Sequence, residues 1–211
     1  MFKIFSGVAA ILTAALWIYD IIYNLDYISF IIIWDAVGYF SIFDFVDYIS
    51  ILNWVLIKPV LVVISMIMCA FYAFKYYDKK QNKILGFSAT ILALWYIFTL
   101  TMSIVFRMRF TSFTESYFID ILTSVVITIS FVLMSLRYLE RIKFNIKAVP
   151  VIAVLTSISM NILLCLIDGY ISLASLGYII MDVSYIIPFM IIISFSPKNH
   201  IGKVNSRRVI K

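Results

Sequence analysis

Three side chains able to carry a charge or a strong hydrogen bond lie inside long apolar stretches, namely Lys58, Asn161 and Asp182. At 1.5 Å of rise per residue, Lys58 lies roughly 7 Å and the other two roughly 13 Å from the same face of a bilayer. A charge near the bilayer centre costs at least about 2.5–3.5 kcal/mol, so such a residue should face the protein interior and find a partner. We therefore predict that Lys58 pairs with Asp182 beside Asn161, and that Asp35 joins them if its segment dips into the membrane.

This group of residues has one functional interpretation and two structural ones. The functional interpretation is a polar, outward-open cavity that binds a cation or a small polar solute, with Lys58, Asn161, Asp182 and Asp35 as the binding residues. The first structural interpretation is an ion pair that joins two helices, with Asn161 as an interhelical hydrogen bond. The second is that the long Lys58 side chain extends to the nearby outer membrane surface.

Other kinds of chemistry are excluded by the residues that are missing. His200 is the only histidine and lies in a basic tail, so no Ser-His-Asp or Cys-His arrangement can form in the membrane. The H-E-x-x-H zinc motif and the glycine-rich nucleotide loops do not occur. We expect no metal, no cofactor and no enzymatic activity. An intramembrane enzyme that uses aspartates (Asp20, Asp168 or Asp182) stays an alternative.

The elements that must position these residues follow from hydropathy. The 211 residues are 64% hydrophobic and 13% charged, against about 25% charged in an ordinary soluble domain. Apolar windows near the ~20 residues that a helix needs to cross a bilayer should be helical, because hydrocarbon offers the backbone no other partner. The predicted windows are 4–23, 53–76, 84–106, 117–138, 148–169 and 173–196. The predicted fold is all-α, a polytopic bundle of about six transmembrane helices in one domain (1–197) with a basic cytoplasmic tail (198–211).

The basic residues predict the orientation of this bundle. Lys and Arg accumulate on the cytoplasmic side of membranes. With a cytoplasmic N-terminus, 14 of the 17 basic residues fall on that side, and Asp78 and Glu140 are the only acids of 11 to do so. The 14 are Lys3, Lys75, Lys79, Lys80, Lys83, Arg137, Arg141, Lys143, Lys147, Lys198, Lys203, Arg207, Arg208 and Lys211. We predict a multi-pass plasma-membrane protein with both termini in the cytoplasm.

The same distribution of charge predicts the partners. The net charge of +6 comes from residues between apolar runs and in the tail, which favours anionic lipid head groups on the cytoplasmic side over nucleic acid. A second membrane subunit or a cytoplasmic ATPase is the alternative partner for the basic loops.

The segment 24–52 is apolar and aromatic, but a full crossing there would invert every later loop. We predict an interfacial or re-entrant segment on the outer face. Its acids, Asp26, Asp35, Asp44 and Asp47, would give that face negative charge.

These features favour a small transporter or channel subunit for a cation or small polar solute. The alternatives are a non-catalytic membrane partner, such as an immunity protein or the permease subunit of an ABC system, and the aspartate-dependent enzyme.

Overall fold

The computed structural model describes residues 1–25, 56–76, 83–110, 115–143, 145–167 and 173–194. The regular elements in these ranges are all helices, as predicted. They are α1 (Phe2–Tyr23), α2 (Lys58–Phe71), a π-helical continuation of α2 (Tyr72–Tyr76), α3 (Lys83–Phe110), α4 (Glu115–Tyr138), α5 (Val149–Ile167), α6 (Leu173–Ser184) and α7 (Ile187–Ser194). Most of the outer-face segment predicted for 24–52, including Asp35, and the whole basic tail lie outside the described residues.

Within the described ranges, five helical stretches are long and apolar enough to cross a membrane. They are Phe2–Tyr23, Lys58–Lys75, Lys83–Ile104, Phe118–Tyr138 and Val149–Ile167. Each overlaps one of the first five predicted windows. Large apolar side chains such as Leu12, Leu94 and Leu155 are more than half exposed on their outer surfaces, which suits contact with lipid rather than water. These helices are those of a multi-pass membrane protein.

The sixth predicted window, 173–196, contains two helices rather than one continuous helix. Helices α6 and α7 are separated by a turn at Tyr185–Ile186. Pro188 has no N–H to donate to the carbonyl of Ser184, four residues before it. That carbonyl accepts a hydrogen bond of 3.0 Å from Thr13 Oγ1 of α1 instead, and Trp17 Nε1 donates to Ser184 Oγ at 3.2 Å. Helix α1 therefore holds the break in place.

The helices form a closed ring around an aromatic centre. Each helix from α1 to α5 packs against the next, α5 contacts both α6 and α7, and α7 packs against α1. Tyr185 is fully buried in the middle. Its ring centroid lies 6.0 Å from that of Trp17, 6.3 Å from Tyr96 and 6.2 Å from Phe131. The break between α6 and α7 thus places a tyrosine at the point where α1, α3 and α4 face one another.

Contacts between helix ends show which of them share a side of the bundle. Gly7 in α1 lies against the Phe74 ring at the end of α2, where an added Cβ would come within 2.5 Å of that ring. Gly86 in α3 lies in the same way against Leu139, just beyond α4. At the end of α7, Ser194 Oγ donates to the Lys147 carbonyl at 2.6 Å.

These contacts pair the start of α1 with the end of α2, the start of α3 with the end of α4, and the end of α7 with the residues just before α5. We call the side of the bundle formed by these helix ends the basic end, and it carries Lys3, Lys75, Lys83, Arg137, Arg141, Lys143 and Lys147. The opposite side, where α4 begins and α5 ends, is called the cavity end.

Candidate functional site

A polar cavity lies between α2, α3, α4, α5 and α6, in the half of the bundle toward the cavity end. Its volume is about 50 Å³, which is room for roughly three to five water molecules at ~10–15 Å³ each. Its wall is formed by Lys58, Trp95, Tyr96, Thr99, Asp120, Thr123, Ser124, Ile127, Ser157, Asn161, Leu164 and Asp182. Every one of the five helices contributes at least one polar side chain to this wall.

Lys58 and Asp182 form an ion pair across the cavity wall. Lys58 Nζ lies 2.8 Å from Asp182 Oδ1, and the two side chains are 5% and 32% exposed. The Lys58 ammonium also lies over the rings of Trp17 and Trp95, 5.1 Å and 5.3 Å from their centroids. Such ring faces attract a cation. Asp20 in α1 lies close enough to interact electrostatically with Lys58, so the buried lysine is surrounded by groups that favour its charge.

The α5 part of the wall carries Asn161 and Ser157. Asn161 Nδ2 donates to the Ser157 carbonyl at 2.7 Å, which leaves its second N–H as a donor and its side-chain oxygen as an acceptor. The Ser157 side chain is 1% exposed, and its Oγ has no hydrogen-bond partner among the described residues. A buried polar group without a partner costs about 1–3 kcal/mol. A water molecule or a ligand in the cavity would provide the partner that the Ser157 hydroxyl needs.

The α4 part of the wall contains none of the predicted site residues. Asp120 is exposed near the start of α4 and lies at the mouth of the cavity. Thr123, Ser124 and Ile127 follow it along the wall. The spacing of these residues is that of one helix face, so a polar stripe at positions 120, 123 and 124 was the signal that could have identified them.

The aromatic cluster around Tyr185 closes the cavity on the side of the basic end. Tyr96 is part of the cavity wall, and its hydroxyl is hydrogen-bonded to that of Tyr185. Beyond Tyr185, Phe131 packs edge-on against Phe189, and both are fully buried. The structure thus describes a cavity that faces one side of the bundle and is sealed from the other by packed rings.

The structure brings together three of the four predicted site residues, Lys58, Asn161 and Asp182, while Asp35 lies outside the described residues. Lys58 was expected about five residues inside its helix; the chain is already helical at residues 56–57, and residues 51–55 lie outside the described part of the chain, so this depth stays a prediction. The binding role of these residues stays a prediction.

Among the described residues, no group of three or more His, Cys, Asp or Glu side chains is placed to hold a metal ion. No protein-family model, curated protein or solved structure matches the chain.

Proposed function

We propose that the protein is a transporter or channel subunit of the plasma membrane, and that it binds a cation or a small polar solute in this cavity. The observation that carries the proposal is that five helices each direct polar side chains into one cavity within the membrane-spanning part of the bundle. Polar groups in such a position are costly. An ion pair that only joined α2 to α6 would need neither a cavity nor the polar residues of α3, α4 and α5.

The proposed orientation places the basic end in the cytoplasm and opens the cavity to the outside. The clustering of lysines and arginines at the basic end supports it, because cytoplasmic loops carry an excess of these residues. Helices α6 and α7 together serve as the sixth crossing, which returns the chain to the side where α1 begins. Anionic lipid head groups are the proposed partners of the basic end.

Uptake into liposomes tests the proposal. Asp182→Asn keeps the shape of the side chain but removes its charge, so we expect it to lower the uptake of radioactive rubidium or urea by about tenfold or more, in line with the energetic weight of intramembrane charges. Glu140→Gln is the matched control, because Glu140 lies just beyond α4 at the basic end. It should transport like the wild type.

Ser124→Leu provides a second variant that leaves the ion pair intact. It fills part of the cavity and should also reduce uptake. Equal uptake by the wild type and both cavity variants would overturn the proposal, and so would wild-type uptake no faster than that of protein-free liposomes.

The clustered charge of the basic end favours a second candidate function, a permease subunit that docks a cytoplasmic ATPase. In that case, neutralising Lys143 and Arg141, which are both exposed, should weaken ATPase binding while the cavity variants should not.

A further inference from the structure

Several residues of the cavity wall carry oxygen atoms that can accept a hydrogen bond or bind a cation. Asn161 Nδ2 and Thr123 Oγ1 both donate to backbone carbonyls of their own helices, at 2.7 Å and 2.8 Å. Their oxygens remain as acceptors toward the cavity, together with the second N–H of Asn161. The carboxylates of Asp120 and Asp182 accept hydrogen bonds and do not donate when ionised. A wall of this kind suits a ligand that carries positive charge or several donors.

The Ser157 hydroxyl is a second, independent observation in favour of a ligand in the cavity. It is one of the wall residues, it is 1% exposed, and its oxygen has no partner in the described part of the chain. Buried hydroxyls nearly always have a partner. A hard cation takes hydroxyl, amide and carboxylate oxygens as its ligands.

Size and charge narrow the class of ligand further. The volume of about 50 Å³ is far below the roughly 300–1,000 Å³ of pockets for organic ligands. One lysine and two aspartates line the wall, and a third aspartate, Asp20, interacts electrostatically with that lysine, so negative charge exceeds positive charge when all four are ionised. Divalent ions such as Ca²⁺ are bound by several carboxylates and other oxygens, and the described residues contain no group of three His, Cys, Asp or Glu side chains placed to hold a metal ion.

We infer that the ligand of this cavity is a small monovalent cation, bound by oxygens of Asp120, Ser157 and Asn161 next to Asp182. The inference rests on the proposed function and names its substrate class. Lys58 competes with the ligand for Asp182, because its ammonium already lies 2.8 Å from the Asp182 carboxylate. A cation that approaches Asp182 is repelled by Lys58, so binding is weak and reversible, as transport requires.

Thermal unfolding and calorimetric titration of the full chain in detergent test the inference. The salts are sodium, potassium, ammonium and choline chloride, compared at one ionic strength. At least one of the three small cations should raise the melting temperature, and choline, which is too large for the cavity, should not. Lys58→Gln should show the larger cation-dependent increase, with an affinity about tenfold higher, because like charges repel strongly at this range.

Ser157→Ala separates a ligand from a purely structural role. It should weaken cation binding about tenfold, because one oxygen contact to the ion is lost, and such a contact is comparable in energy to a hydrogen bond to a charged group. Without cations it should be at least as stable as the wild type, because it removes a buried hydroxyl that lacks a partner. Ser130→Ala is the matched control: the Ser130 hydroxyl donates to the Val126 carbonyl within α4 and is not part of the wall. It should bind cations like the wild type.

Three results would overturn the inference. Stabilisation by choline equal to that by the small cations would show a general salt effect. Stabilisation by urea without any by cations would show a neutral ligand, and the proposed function would survive. If neither cations nor urea bind, both the inference and the proposed function fail.

Discussion

Replacing Asp182 with leucine is expected to lower the free energy of unfolding by about 3 kcal/mol, at the lower end of the range for breaking a buried ion pair. Stability falls because the Lys58 side chain stays buried, at 5% exposure, while its ammonium loses the Asp182 carboxylate 2.8 Å away. Asp20 and the rings of Trp17 and Trp95 still favour the charge, which keeps the loss from being larger. Unfolding in mixed detergent micelles measures it.

The reverse substitution, Lys58→Met, should cost less than Asp182→Leu. Asp182 is 32% exposed, so water in the cavity can hydrate its carboxylate. The double variant Lys58→Met with Asp182→Leu leaves no buried charge without a partner, and should be more stable than the sum of the two losses implies. If the two losses in free energy of unfolding simply add, the two side chains do not interact, and the ion pair between Lys58 and Asp182 is wrong.

Replacing Tyr185 with alanine is expected to cost about 3–5 kcal/mol, the range for removing a large buried aromatic side chain. Tyr185 is fully buried between Trp17, Tyr96 and Phe131. Inside a membrane the loss is mainly one of packing contacts, because lipid is as apolar as the core. It also opens space between the cavity and the basic end. Unfolding in mixed detergent micelles measures the loss of stability. Leakage of solute from liposomes measures whether the cavity has opened toward the basic end.

Two further substitutions test the contribution of burial and that of the Tyr185 hydroxyl. Tyr23→Ala removes the same side chain from a position that is 75% exposed, and its effect should stay within about 0.5 kcal/mol. Tyr96→Phe should cost about 1–3 kcal/mol, because it leaves the buried Tyr185 hydroxyl without its partner. If Tyr185→Ala unfolded no more easily than Tyr23→Ala, the aromatic cluster would not be the core of the bundle.

Much of the helical fold was predictable because hydrocarbon offers the backbone N–H and C=O groups no hydrogen-bond partner. Apolar runs of sufficient length must be helical in hydrocarbon, and α4 begins and ends within a few residues of its predicted window, 117–138. The contact between Lys58 and Asp182 was also predictable, because two opposite charges at similar depth have few other partners. Both arguments use only local properties of the chain.

The remaining features depend on how the helices turn toward one another. A proline at 188 cannot donate to the Ser184 carbonyl, but the sequence does not indicate that Thr13 would bind that carbonyl and that the helix would break at Tyr185–Ile186. Ser157 was indistinguishable from other serines in apolar stretches, because its burial depends on the rotation of α5 against α4. Asp120 looked like an ordinary acid at a helix end until the structure placed it at the mouth of the cavity.

Labelling of a single introduced cysteine in intact cells tests most directly whether the polar cavity opens to the outside. In a variant that lacks Cys69 and Cys165, Ser124→Cys places a thiol on the cavity wall, and Lys143→Cys places one on the exposed surface of the basic end. A membrane-impermeant thiol reagent should label Ser124→Cys in intact cells, and Lys143→Cys only after the membrane is permeabilised. Labelling of Lys143→Cys in intact cells, with Ser124→Cys protected until permeabilisation, would contradict the proposed cavity and its orientation.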